Sequence, residues 1–309
     1  MNGSTRPKIP RRVLDGVLLL DKPLGLSSND ALIRAKKIYL AKKAGHTGTL
    51  DPLATGLLLL CFGEATKFSQ DLLEADKTYE ATMRLGVRTT TGDAEGEALQ
   101  TRDVTCDEAA IHAAMAHFRG EIAQVPPMYS ALKRDGKPLY EYARAGQTVE
   151  REARNVTIHA LDLIACALPD VTFRVTCSKG TYVRTLAEDI GEKVGCGAHL
   201  VALRRTGVGV LTLEHAVTLD TLAEAAPDER DSWLQPVDAL LSTFPAVHLD
   251  ADATRRFAQG QRLKLSDIAD APATADRVRV YALDDQRLLG VARAGEGVLA
   301  PERLVVSAA

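Results

Sequence analysis

Asp51 sits in the stretch Gly45-His46-Thr47-Gly48-Thr49-Leu50-Asp51-Pro52-Leu53-Ala54-Thr55-Gly56, whose composition suits a carboxylate that meets a ligand. The glycines permit positive-φ backbone and close approach of another molecule. Pro52 drives Asp51 out of the helical region, so the acid is predicted on a constrained loop. Leu57 to Phe62 follows as a short apolar run closed by Gly63, the pattern of a fully buried strand. An acid on a stiff loop anchored to such a strand is well placed for ligand chemistry. The same residue in an Asx-turn would bond only its own backbone, and spacing alone leaves the two readings level. Other chemistries lack their residues. The sequence has no GxxxxGK[ST] phosphate loop, no strand-GxGxxG-helix context and no pairing of HxE with PCxxC. Cys61, Cys106, Cys166, Cys177 and Cys196 are odd in number and form no CxxC pair, which argues against a disulfide framework and a zinc site.

More motifs stand in order along the chain. Gly16-Val17-Leu18-Leu19-Leu20-Asp21-Lys22-Pro23 is followed by Gly25 and Ser27-Ser28. Lys77-Thr78-Tyr79, Lys179-Gly180-Thr181-Tyr182-Val183-Arg184-Thr185-Leu186 and His199-Leu200-Val201-Ala202-Leu203-Arg204-Arg205-Thr206 come later. With the Asp51 stretch they span about residues 16–206. In kind, order and spacing they resemble the TruB family of bacterial tRNA pseudouridine-55 synthases, a far more specific match than any lone short pattern.

That resemblance implies an isomerisation. The bond from ribose C1′ to uracil N1 breaks, the base turns, and C1′ joins C5. Nothing is oxidised or hydrolysed overall, so no metal, redox cofactor or nucleotide cofactor is implied. Asp51 is implied as the nucleophile, with attack on the sugar or on the base ring both open; carboxylates have precedent as nucleophiles toward sugars. Arg184 is implied as its partner, favouring the ionised carboxylate and fixing its direction. Tyr79 is implied to stack on the target base and to handle a proton. Tyr182 is implied as a second substrate contact, Leu203 as an apolar wall of the uracil pocket, and His46 as the side chain filling the space a flipped nucleotide leaves. Taken singly, Arg184 reads as a surface arginine, and the tyrosines and Leu203 as core packing. Lys22 stays outside the catalytic set, as structural support or a phosphate contact. The implied partner is tRNA, gripped at its T-stem and T-loop, with the T-loop uridine extruded at a cost of a few kcal/mol. Two rivals remain. An RNA-folding protein on the same scaffold needs the grip but not Asp51, and folding could also accompany catalysis. A glycoside hydrolase would need a second acid beside Asp51, and none stands out in the matched motifs.

With 309 residues, 46% hydrophobic and 26% charged, the chain has ordinary globular composition and ample length for a core. No apolar run approaches the ~20 residues that cross a bilayer. The polar first ten residues have basic groups but no apolar h-region after them, so a tail is expected there and no secretory signal. The cysteine usage fits a reducing cytoplasm, and a monomer is expected. A net charge of −3 disguises local contrast: residues 1–50 carry ten Lys/Arg against three Asp/Glu, and residues 211–240 one against seven. Screening limits each charge to about 8 Å, so patches outweigh the total. Lys36, Lys37, Lys42 and Lys43 alone read as a solvated helix face; beside Asp51 they read as a phosphate-steering rim.

Elements must carry these residues. A strand is predicted at 17–20, a turn at 21–25, and a helix capped by Ser27, Ser28 or Asn29 running to about Leu40. Strands are predicted over 78–85 and 171–177, where polar and apolar residues alternate, and within 198–210. Helices are predicted over 109–118 and 182–194, with His112 and His117 as surface or packing residues. Thr89 to Glu97 reads as polar loop, and 217–241 as an acidic helical stretch. The irregular stretch 121–155 mixes Lys/Arg with Tyr140 and Tyr142, which suits an RNA-gripping insertion; the tyrosines could equally pack a short helix. After a boundary near 243–248 come a helix around 254–257 and strands over 277–282, 288–293 and 304–306. Nine bases balance nine acids over 248–309, so only resemblance and position make this a PUA-like RNA-binding module. The expected fold is mixed α/β, with a largely antiparallel central sheet of the pseudouridine synthase type and flanking helices, plus that small β-rich domain. The expected divisions are a tail at 1–10, a catalytic domain at 11–245 and the PUA-like domain at 246–309.

Overall fold

The leucine run of residues 57–60 lies at the centre of the molecule because it is apolar on both faces. In the computed structural model, which describes residues 10–269 and 271–306, the strand Ala54–Phe62 feeds two cores. Leu58, Leu60 and Phe62 join the larger one, while Leu57, Leu59 and Cys61 join a second on the opposite face. Only an interior strand covered on both sides can carry such an unbroken run. The tail expected at residues 1–10 lies, but for Pro10, outside the described residues.

Around this strand a ten-stranded sheet is built. Gly16–Lys22 pairs antiparallel on one side of it, and Ala198–Val208 pairs parallel on the other, with Leu203 opposite Ala54. From there Lys77–Leu85, Asp170–Cys177, Arg154–Ala167 and Gly120–Gln124 follow, each antiparallel to its neighbour. Two helices pack on the larger core. Ser28–Ile38 is capped by Ser27, whose hydroxyl accepts the Asp30 N–H, and buries Ala31, Leu32 and Ala35. Val183–Lys193 begins at Tyr182 and buries Leu186 and Ile190. The expected mixed α/β fold with a largely antiparallel sheet is the fold observed.

Three elements differ from the sequence reading. The 14-residue strand Arg154–Ala167 has no clean alternation, because register shifts between Ile158 and Ala160 and between Leu163 and Ala165 move successive residues across the faces. The acidic stretch 217–241 is broken into helices Leu219–Glu224 and Pro227–Ser232, a short strand Leu234–Gln235 and a 3-10 turn. Pro227 and Pro236 cannot continue a helix, which accounts for the breaks. At the C-terminal end the last strand is Val298–Leu304 rather than 304–306, and Val305 packs on the second core of the large sheet.

A five-stranded sheet forms from Ala246–Leu249, Ala275–Ala282, Leu288–Gly295, Val298–Leu304 and Leu263–Lys264, with the helix Ala251–Ala258 beside it. Its joint with the large sheet is partly apolar, with Val291, Leu288 and Val305 on the second core, and partly polar. Arg277 pairs with Asp71 and Glu302 and lies over the Phe244 ring, and the Tyr281 hydroxyl donates to Asp238 at 2.6 Å. Within 121–155 the short helix Leu139–Arg144 carries Tyr140 and Tyr142, whose rings receive Arg144 and Lys137. Among the described residues, no helix is long and apolar enough to cross a membrane.

Candidate active site

Much of the Asp51 stretch is strand. Ala44–Thr47 and Ala54–Phe62 pair antiparallel, with His46 opposite Leu60, so residues 48–53 are the loop between them. Each end of that loop is fixed. The buried Ser28 hydroxyl accepts the Leu50 N–H at 2.8 Å and donates to the Leu50 carbonyl at 3.1 Å. The Pro52 carbonyl accepts the Gly25 N–H, and the Asp51 carbonyl accepts the Ala54 N–H. Beneath the loop, the fully buried Arg205 guanidinium donates to the carbonyls of Leu57 at 2.7 Å and Gly48 at 2.9 Å. Gly56 has φ +95°, and a Cβ there would stand 2.2 Å from the Arg205 carbonyl oxygen, so the loop can close on strand Ala198–Val208 only through glycine.

From the first turn of helix Val183–Lys193, Arg184 reaches Asp51, Nη2 to Oδ2 at 3.0 Å. This ion pair, rather than an Asx-turn, is what holds the carboxylate. Arg184 also stands 3.4 Å from the buried Asp93 carboxylate and donates to the carbonyls of Thr91 at 2.9 Å and Tyr129 at 2.7 Å. A guanidinium with its donors so engaged cannot swing away, which gives Asp51 one direction. The Asp51 side chain is 44% exposed, and that exposed part faces the cavity. Enclosure by protein pushes its pKa up from the ordinary value, and Asp93 adds to the push; Arg184 and Lys22 pull it back. Lys22 is fully buried, with its ammonium donating to the Pro23 and Leu26 carbonyls, so it serves as support and not as a phosphate contact. Burial lowers its pKa to about 8.

Asp51, Arg184, Tyr79, Tyr182 and Leu203 all line one cavity of about 170 Å³. A cavity of about 150 Å³ admits one benzene ring, so this one is matched to a single flat six-membered ring. Tyr79 comes from strand Lys77–Leu85, where it lies opposite Arg205, and Leu203 comes from the neighbouring strand two residues before Arg205. Burial raises the Tyr79 pKa while Arg205 opposes it. The resting phenol is therefore neutral, able to stack and to pass a proton. Burial likewise raises Tyr182. His46 is not brought to the cavity. It is half-buried on its strand, with Nδ1 unpartnered, and burial and Arg205 lower its pKa.

Three residues at the site escaped the sequence reading. Asp93 lay unmarked in the polar loop 89–97, although its glycine-flanked setting, Gly92 before and Gly96 after, echoes that of Asp51. Arg205 differs from Arg204 in direction only, since strand alternation buries one and exposes the other. Ser130 gave no signal apart from lying beside Pro126-Pro127. Asp93 and the exposed Glu95 also supply the acids that the glycoside hydrolase reading lacked, both within electrostatic reach of Asp51. Asp93, however, is engaged with Arg184 and with the Thr91 hydroxyl.

The fold that carries this site is shared with known proteins. One chain of a Cbf5–Nop10–Gar1 complex superimposes with TM-score 0.75 at 29% identity, covering 94% of this chain and 84% of that one. A chain of an H/ACA RNP bound to a substrate RNA containing 2′-deoxyuridine gives 0.74 at 26% identity, over 94% and 85%. Residues 36–183 match the N-terminal domain of the TruB family pseudouridylate synthases. Residues 184–242 match the tRNA pseudouridylate synthase B C-terminal domain, and 245–305 the C-terminal region of pseudouridine synthase II TruB. The tRNA pseudouridine synthase B of Burkholderia mallei (strain ATCC 23344) is 79% identical over 99% of both chains. That of Cupriavidus metallidurans is 67% identical over 98% of both. The chain belongs to the TruB family of pseudouridylate synthases.

Proposed function

We propose that this pseudouridylate synthase isomerises the T-loop uridine of tRNA to pseudouridine, with Asp51 as its nucleophile. The tRNA substrate follows from its relatives, which are named as tRNA pseudouridine synthases. One observation carries the assignment of chemistry: the Asp51–Arg184 pair faces a cavity sized for one pyrimidine ring, with Tyr79 on its wall. Asp51, held as the anion by Arg184, forms a transient covalent bond to the substrate. The C1′–N1 bond breaks with its electron pair going to N1, the base turns in the cavity, and C5 bonds to C1′. The C5 proton then leaves, with Tyr79 placed to relay it; N1 gains a proton, and the Asp51 carboxylate is freed. Atoms balance without a second substrate. Tyr182 and Leu203 hold the ring, and His46, outside the cavity, fills the space that the flipped nucleotide leaves in the RNA.

The grip on RNA belongs to the rest of the surface. Lys36, Lys37, Lys42 and Lys43, together with the basic insertion 121–155, would line phosphates, with Tyr140 and Tyr142 offering ring faces. Residues 11–245 are the catalytic domain and 246–309 the PUA-like RNA-binding domain of a cytoplasmic monomer. Incubation with an unmodified tRNA transcript, without metal or nucleotide, followed by pseudouridine mapping, tests this. Pseudouridine should appear at the T-loop uridine and be absent when that position is cytidine. Pseudouridine only elsewhere would refute the site assignment, and release of free uracil would restore the glycoside hydrolase reading.

A further inference from the structure

Ser130 is 5% exposed and lies on the wall of the Asp51 cavity, yet its hydroxyl oxygen is buried without a well-formed hydrogen bond. Buried hydroxyls normally find partners of good geometry, so one without such a bond on a ligand cavity has hydrogen-bonding capacity to spare. Of its polar neighbours in the lining, Thr181 donates to the Ser178 carbonyl at 2.9 Å, Arg184 is clamped, and Thr49 is exposed. The Ser130 backbone is fixed by two hydrogen bonds, its N–H to Met128 and its carbonyl to the Tyr140 N–H. The preceding carbonyl, Tyr129, accepts from Arg184. Ser130 is therefore held in register with the Asp51–Arg184 pair.

Its hydroxyl stands against the Tyr182 phenol, close enough to lower that phenol's pKa against the upward push of burial. A hydroxyl has one proton and two acceptor positions. If the neutral phenol donates into one of these, the serine proton is left for the cavity.

The chemistry of the base supplies the missing partner. Uracil presents O2, N3–H and O4 along one edge, acceptor–donor–acceptor, symmetric about the line from N3 to C6. Exchanging N1 for C5 at the sugar is a half-turn about that line, and it also exchanges O2 with O4. A donor fixed in the wall thus meets a carbonyl before the turn and after it. Cytosine, with an amino group at C4, would confront that donor with another donor in one of the two orientations. We propose that Ser130 is a substrate-recognition residue that donates to the carbonyl edge of the flipped uracil, retains the base through its half-turn and disfavours cytosine. This rests on the uridine-isomerisation reading.

The test is single-turnover pseudouridine formation by the wild type, Ser130→Ala and Ser130→Thr, on transcripts carrying uridine or 4-thiouridine at the target. Loss of one neutral hydrogen bond should slow Ser130→Ala about tenfold. The dissociation constant for tRNA should stay unchanged, because phosphate contacts carry most of it. Ser130→Thr, which keeps the hydroxyl, should recover the rate. Sulfur is a poor acceptor, so 4-thiouridine should slow the wild type and add nothing further in Ser130→Ala. Equal slowing of both proteins by sulfur would overturn the proposal, as would an unchanged rate in Ser130→Ala. A rate loss matched by weaker tRNA binding would also overturn it, as a merely structural effect. Should Ser130→Ala not fold, Ser130→Thr decides by whether it keeps both the rate and the sulfur effect. No pseudouridine from the wild type would instead mark failure of the underlying reading.

Discussion

At Asp51, enclosure and Asp93 favour the protonated acid, while Arg184 and Lys22 favour the anion. Because its folded pKa lies above 3.8, the ordinary value, the charged form costs stability at every pH above that folded pKa, and protonation recovers it. Asp51→Asn should therefore abolish activity and leave the thermal midpoint equal to or above that of the wild type, measured by calorimetry. A lower midpoint would mean the carboxylate stabilises the fold. The same balance governs rate. kcat/KM should fall on the acid side as Asp51 protonates, with an apparent pKa above 3.8. Removing opposing charges should move that limb in opposite directions: upward in Arg184→Met and downward in Asp93→Asn. Movement in the same direction would separate the limb from Asp51.

At the scale of elements, the loop's position depends on Ser28 at the start of one helix and on a glycine contact with one strand. Ser28→Ala leaves the buried Leu50 N–H without its acceptor, a loss of about 1–3 kcal/mol, readable by urea unfolding together with a fall in activity. Gly56→Ala should be worse, since the Cβ meets backbone at 2.2 Å with φ +95°; little soluble, active protein is expected. The sequence made the main elements legible where a period or a cap stood out. The alternating strand at 171–177 is seen as read, and of the three candidate caps Ser27, Ser28 and Asn29 it is Ser27 that caps the helix. Strand 154–167 was hidden by its register shifts, and the pieces of 217–241 by acidic composition that masked the force of two prolines. The cavity was legible through Asp51, Tyr79, Tyr182, Arg184 and Leu203, because those residues lie inside long matched motifs. Asp93, Arg205 and Ser130 act through contacts between residues distant in the chain, such as Arg184 with Asp93, which local spacing does not encode.

At the scale of the molecule, a net charge of −3 has to coexist with a polyanionic partner. The answer lies in distribution: on the proposed reading the basic side chains of residues 10–50 meet RNA, while the acidic stretch 217–241 packs behind the first helix, where the Tyr39 hydroxyl donates to the Arg230 carbonyl and Arg12 pairs with Asp231. With about 6–10 phosphate contacts, log Kd for the T-arm should respond to log salt with a slope of about 0.7 per contact. Lys36→Ala with Lys37→Ala should reduce that slope, measured by filter binding from low to moderate salt. A flat response in the wild type would remove the basic rim from the account.

The most direct test of the central claim is pseudouridine mapping of one unmodified tRNA after incubation with the wild type and with Asp51→Asn, with tRNA binding by both measured alongside. The account expects equal binding and pseudouridine from the wild type alone. Pseudouridine formed by Asp51→Asn would contradict it, because the covalent step would then have another nucleophile.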